Sequence, residues 1–146
     1  MRQSHLLSLT IAGLLLAGCS QESAVTTSEP VVRTEESGAQ RVTMSLGQTA
    51  TFGTTNPLRI TLRAIEADSR CPVDVQCVWA GDAAVLLRLE RGTVRAGTTL
   101  HTALEPRRIF FDEQSAIRLV EVTPLPREGT PVAAAAYRVT LEVTPP

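Results

Sequence analysis

The sequence predicts an all-β domain over residues 41–146: an antiparallel β-sandwich of immunoglobulin-like Greek-key order, with a small β-barrel as the alternative. Three observations predict it. Apolar residues alternate with polar ones in short runs, turn residues separate those runs, and no segment carries a 3.6-residue apolar period.

The runs come in order. Val42, Met44 and Leu46 share one parity. Leu58, Ile60 and Leu62 alternate with Arg59, Thr61 and Arg63, and Val85, Leu87 and Leu89 alternate with Leu86, Arg88 and Glu90. The last run sets Tyr137, Val139, Leu141 and Val143 against Arg138, Thr140, Glu142 and Thr144. Gly47, Gly53, Asn56-Pro57, Gly92, Gly97, Pro106 and the stretch 124–131 supply the turns. Parity switches twice, between Leu62 and Ile65 and between Leu119 and Val120. A bulge or a crossing between sheets would account for each switch. Ala133–Ala136 follow Pro131-Val132 and lead directly into the last strand, so they are not read as a helix. Seven or eight strands are expected.

The chain has 146 residues, which suits one domain. It carries 14 arginines and no lysine, against 15 acidic residues, for a formal charge of −1. That balance does not suit nucleic acid, which calls for a basic face. The aromatic residues are one Trp, one Tyr and three Phe, few for a surface that stacks bases or sugars.

Residues 1–18 read as a leader: Arg2 in a short charged region, then an apolar run from Leu6 to Ala17 that is too short to span a bilayer. Leu16-Ala17-Gly18-Cys19 resembles the bacterial lipobox. The resemblance implies diacylation of Cys19, cleavage before it and acylation of the new amino group, so that the membrane holds the chain through its acyl chains. By the same resemblance, Ser20 rather than Asp after the cysteine implies the outer membrane, facing the periplasm, if the source is Gram-negative. Residues 19–40 are expected to be the lipidated cysteine and a disordered tether rich in Ser, Thr and Glu. As a flexible coil the tether would span ~25 Å.

The most distinctive stretch is Asp68-Ser69-Arg70-Cys71-Pro72-Val73-Asp74-Val75-Gln76-Cys77-Val78-Trp79-Ala80-Gly81-Asp82-Ala83. A disulfide between Cys71 and Cys77 suits an exported chain. A redox pair and a metal site are the alternatives, although redox pairs usually have C-x-x-C spacing and two thiols half-fill a zinc shell. The string S-R-C-P-x-D-V-x-C-V-W-A-G resembles a motif of small bacterial lipoproteins and secreted proteins. The resemblance extends to Leu100-His101-Thr102, to Leu119-Val120 with Pro124-Leu125-Pro126, and to Tyr137-Arg138-Val139. It implies an exported β-rich domain with a disulfide, and no particular activity.

Candidate site residues cluster around this loop. Trp79 is expected in the core, packed on the bridge as in immunoglobulin domains, with an exposed anchor as the alternative. Gly81 is expected in a turn or bulge. Arg70 is placed to pair with Asp68, Asp74 or Asp82, which lack the spacing of a calcium loop and suit turns instead. His101 is expected to point outward if Leu100 points inward. Ser115, His101 and Asp112 make a triad on paper, without the G-x-S-x-G elbow. Arg107-Arg108 reads as a solvated turn face. No cofactor is implied, and a monomer is expected.

The expected function is that of a non-enzymatic binding or structural module, docking on or inhibiting an envelope protein. The alternatives are a hydrolase using His101 and metal handling through His101, Met44 and a reduced cysteine pair.

Overall fold

The structure is a computed structural model, and it describes residues 29–113 and 115–144. The leader, Cys19 and the first part of the tether lie outside the described residues, as does the acylation expected of Cys19.

Among the described residues nine strands form: β1 (Val32–Thr34), β2 (Gln40–Met44), β3 (Thr49–Phe52), β4 (Leu58–Asp68), β5 (Ala83–Arg91), β6 (Val94–His101), β7 (Arg108–Phe111), β8 (Ser115–Thr123) and β9 (Arg138–Thr144). A single 3-10 turn at Ala134–Ala136 precedes β9. The strands make a five-stranded sheet in the order β1-β2-β9-β8-β7 and a four-stranded sheet in the order β3-β4-β5-β6, every pairing antiparallel. The two sheets pack as a sandwich and do not close into a barrel.

Two connections cross between the sheets, β2–β3 and β6–β7. The sandwich is therefore a meander in which each strand from β2 to β9 follows its predecessor, and β9 returns to pair with β2. It has fewer crossings than the interleaved immunoglobulin order. The meander follows from local chemistry: short turns join β3 to β4, β5 to β6 and β7 to β8, so neighbours in sequence become neighbours in space. The β7–β8 turn holds Asp112 and Glu113 at φ 48° and 61°.

The alternating residues make the core. Val42 and Met44 of β2, Leu58, Ile60 and Leu62 of β4, Val85, Leu87 and Leu89 of β5, and Val139, Leu141 and Val143 of β9 are all buried. Both parity switches are bulges. The β4–β5 register slips between Leu62 and Ala64 and again between Ile65 and Ala67, and the β8–β9 register slips between Leu119 and Glu121. A bulge inserts an unpaired residue and turns the following side chains to the other face, which is why Leu119 and Val122 are both buried.

Two expectations are corrected. The ordered chain starts earlier than Arg41, because β1 pairs with β2 through Val32–Val42, Arg33–Arg41 and Thr34–Gln40. Its three residues are all exposed, so no apolar pattern announces them. Trp79 is not in the core; it is 78% exposed. The rings that the core does hold are Phe52, Phe111 and Tyr137.

Candidate functional site: the loop end of the sandwich

The bulged half of β4 carries the chain beyond the body of the sandwich and delivers Asp68 opposite Ala83 of β5. Between them, residues 69–82 make the cysteine loop. Its neck continues the hairpin: the Ser69 N–H donates to the Asp82 carbonyl (2.7 Å) and the Cys71 N–H to the Ala80 carbonyl (2.8 Å). Gly81 sits in this neck at φ +68°, where a Cβ would lie 1.8 Å from the Ser69 carbonyl oxygen. Only glycine fits, both for its left-handed backbone and for the close approach. Cys71 and Cys77 are bonded to each other.

Beneath the neck lies a buried ionic network. The Arg70 guanidinium is turned inward and is 8% exposed. It donates to both carboxylate oxygens of Asp68, through Nε (2.8 Å) and Nη2 (2.7 Å), and to the carbonyls of Val122 and Pro124. The Tyr137 hydroxyl donates to Asp68 as well (2.9 Å). Burial alone would raise the Asp68 carboxyl, but the hydrogen bonds from Arg70 and Tyr137 outweigh it and hold the group below its ordinary value. Burial, together with the Asp68 carboxylate, pushes the Tyr137 hydroxyl up. Arg70 thus ties β4 of one sheet to the end of β8 in the other. The pairing of Arg70 with an aspartate is as expected.

The outer part of the loop is laced to residues 124–130. The Val73 N–H donates to the Pro126 carbonyl (3.0 Å), and the Glu128 N–H donates to Asp74 (2.9 Å). Asp74 therefore acts as a turn-fixing acceptor.

Asp82 organises the third loop, residues 102–107. Its Oδ1 accepts from the Ala103 N–H (2.8 Å), the Leu104 N–H (3.3 Å) and the Thr102 hydroxyl (3.1 Å), and its Oδ2 lies 2.6 Å from His101 Nδ1. Burial raises this carboxyl, but the donors from Ala103, His101, Leu104 and Thr102 dominate and lower it to about 2. Leu100 is buried and His101 is half-buried on the opposite side of the strand, held by its aspartate.

These loops leave an apolar rim. Trp79 shares a shallow groove with Ser69, Gly81, Ala103 and Leu104. Val78 is exposed beside it, and Leu104 is 60% exposed across the groove. Trp79 sits outside because the neck hydrogen bonds close below it, and the space between the sheets is already filled by aliphatic side chains from alternate strand positions.

Of the residues singled out from sequence, Arg70, Asp74, Trp79, Gly81, Asp82 and His101 all belong to this end. Ser115 and Asp112 do not. They lie at the opposite end of β5, bonded to Arg91 (2.7 Å from Ser115 Oγ and 3.0 Å from Asp112 Oδ2), so the paper triad with His101 does not assemble. Among the described residues no hydroxyl or thiol hydrogen-bonds the His101 ring. Met44 is fully buried between the sheets, and the two loop cysteines bond each other, so Met44, the cysteines and His101 do not form one set. Phe110, beside the Arg107-Arg108 turn, is an exposed ring with the Arg108 guanidinium 4.9 Å from its centroid.

Leu104 and Val78 were not singled out from sequence, nor was Tyr137 as a partner of Asp68. Leu104, an apolar residue between Ala103 and Glu105-Pro106 and outside any alternating run, carried the one usable signal. The Asp68–Tyr137 contact joins positions 69 residues apart and left none.

No protein-family profile matches the chain, and neither does any curated protein or solved structure.

Proposed function

We propose that this chain is a lipid-anchored envelope protein whose β-sandwich is a non-enzymatic binding module, and that it docks on another envelope protein through the Trp79 rim. The lipobox-like Leu16–Cys19 segment supports the anchor, on the outer membrane and facing the periplasm if the source is Gram-negative. The observation that carries the docking reading is Trp79 itself, 78% exposed on a loop cross-linked by Cys71–Cys77 and pinned by Arg70, Asp74 and Asp82. A large ring held outside on a rigid support loses little entropy on binding, and such rings dominate interface energies. Val78 and Leu104 extend the apolar contact, and binding residues commonly sit on loops held by a rigid scaffold.

The test is a pull-down from envelope extract with the wild-type chain and with Trp79→Ala. The proposal expects a discrete partner retained by the first and lost by the second. Identical recovery with both proteins, or none with either, counts against it.

A second reading, a hydrolase using His101, draws on the 2.6 Å contact between His101 and Asp82. Comparing turnover by the wild-type chain and His101→Ala tests it, and equal turnover ends it.

A further inference from the structure

The outer face of the five-stranded sheet carries a charged row that runs across all its strands. The pairings Arg33–Arg41, Arg41–Glu142, Glu142–Arg118 and Arg118–Arg108 put five side chains side by side on β1, β2, β9, β8 and β7. Directly paired residues share a face, and strands lie ~4.8 Å apart, so the row is ~19 Å long. Four of its five members are arginines. Glu142 takes one hydrogen bond from Arg41 and two from Arg118, and those arginines hold its carboxyl below the ordinary value. Arg41 also pairs with Glu35 (3.8 Å) and its Nε is buried, so the donors open to a ligand are chiefly those of Arg33, Arg108 and the outer nitrogen of Arg118. Glu35 and Glu121 are exposed carboxylates near this face, and Arg138 is a further exposed arginine on it.

We infer that this sheet face is a membrane-facing surface that seats the phosphates of anionic lipid headgroups. The row is built of arginine, whose planar fork suits phosphate oxygens. An aromatic ring stands on the same face: Phe110 is 70% exposed on the edge strand, two residues from Arg108. A ring among cationic groups suits the boundary between headgroups and acyl chains better than it suits a soluble polyanion. The chain also arrives here, since β1 is the first strand among the described residues and Pro30 and Val31 border the same face beside Arg33 and Arg41. The stretch from Cys19 to Val32 spans at most ~45 Å. The inference rests on the anchor reading only for this proximity. The outer face of the four-stranded sheet, with the row Thr51–Arg59–Glu90–Arg95 and with Arg63 and Arg88 beside it, also carries four arginines, but none of its strands carries an exposed aromatic ring, so Phe110 is what sets the five-stranded face apart.

The test measures partition of the unacylated chain beginning at Ser20, which retains every core residue from Val42 to Val143. The vesicles are pure phosphatidylcholine, or equal parts phosphatidylcholine and phosphatidylglycerol. Binding is expected only to the second kind, and should fall at high salt. Each surface arginine removed should weaken partition about fivefold, so Arg33→Gln with Arg108→Gln should weaken it about 25-fold. Phe110→Ala should weaken it separately, whereas Arg59→Gln with Arg95→Gln should not. Thermal melts of each variant establish that it is folded. Equal binding to both vesicles overturns the inference, as does equal loss from the two arginine pairs, or binding of soluble polyphosphate without any binding to vesicles. The mass of the protein purified from cells reports acylation of Cys19 independently, so a failed sheet face and a failed anchor give different results.

Discussion

Asp82 is the residue on which the loop end turns, and replacing it with asparagine makes the sharpest test of that role. The amide keeps an oxygen for the N–H groups of Ala103 and Leu104 but removes the charge they stabilise. The wild-type carboxyl lies at about 2 in the folded state, against an ordinary value of 3.8. The side chain is 14% exposed, so the shift reports on the folded protein with little screening. A folded value below the unfolded one means that the contribution is complete above the unfolded value and is lost as pH falls through the folded one. That difference is worth about 2 kcal/mol at pH 7, roughly half of that at pH 3 and little at pH 2. Urea unfolding of the wild-type chain and Asp82→Asn, followed from pH 7 to pH 2, should show the stability gap between them shrink by about 2 kcal/mol. A gap independent of pH would mean that charge on Asp82 does not hold residues 102–104.

Other substitutions test the rest of the site. Trp79→Ala should change stability by less than about 0.5 kcal/mol, as for an exposed residue, and a loss above about 2 would place the ring back in the core. Gly81→Ala should lower stability by at least about 2 kcal/mol in thermal or urea unfolding, because its Cβ meets the Ser69 carbonyl while the backbone is left-handed; a neutral result would mean that the neck has another conformation. Arg70→Met should cost about 3–5 kcal/mol, since it strands a buried carboxylate, whereas Arg70→Met with Asp68→Leu should recover much of that loss. Reducing the Cys71–Cys77 bond should cost about 2 kcal/mol on the chain-entropy account, read as a fall in the urea midpoint.

Much of the sandwich was legible because alternation reports burial directly. The two parity switches even marked the places where β4 and β8 bulge, although from sequence a crossing between sheets would have served as well. Sheet order was less legible, because the β2–β9 pairing that unites the five-stranded sheet joins positions about a hundred residues apart, and local pattern carries no record of it. β1 was hidden because all three of its residues are exposed. Within the site, Gly81 and Arg70 could be read from residue type. Trp79 could not, because a tryptophan after a disulfide suits a core as well as it suits a rim. What decides between them is the neck pairing of Ser69 with Asp82 and of Cys71 with Ala80, which depends on where the bulged β4 delivers the chain.

The docking proposal is tested most directly by photo-crosslinking in living cells, with the probe placed at position 104 across the groove from Trp79. One discrete crosslinked protein is expected, which disappears in Trp79→Ala and is not captured by a probe at position 59 on the outer face of the four-stranded sheet. A crosslinking pattern that is the same with and without Trp79, or the same from both positions, would contradict it.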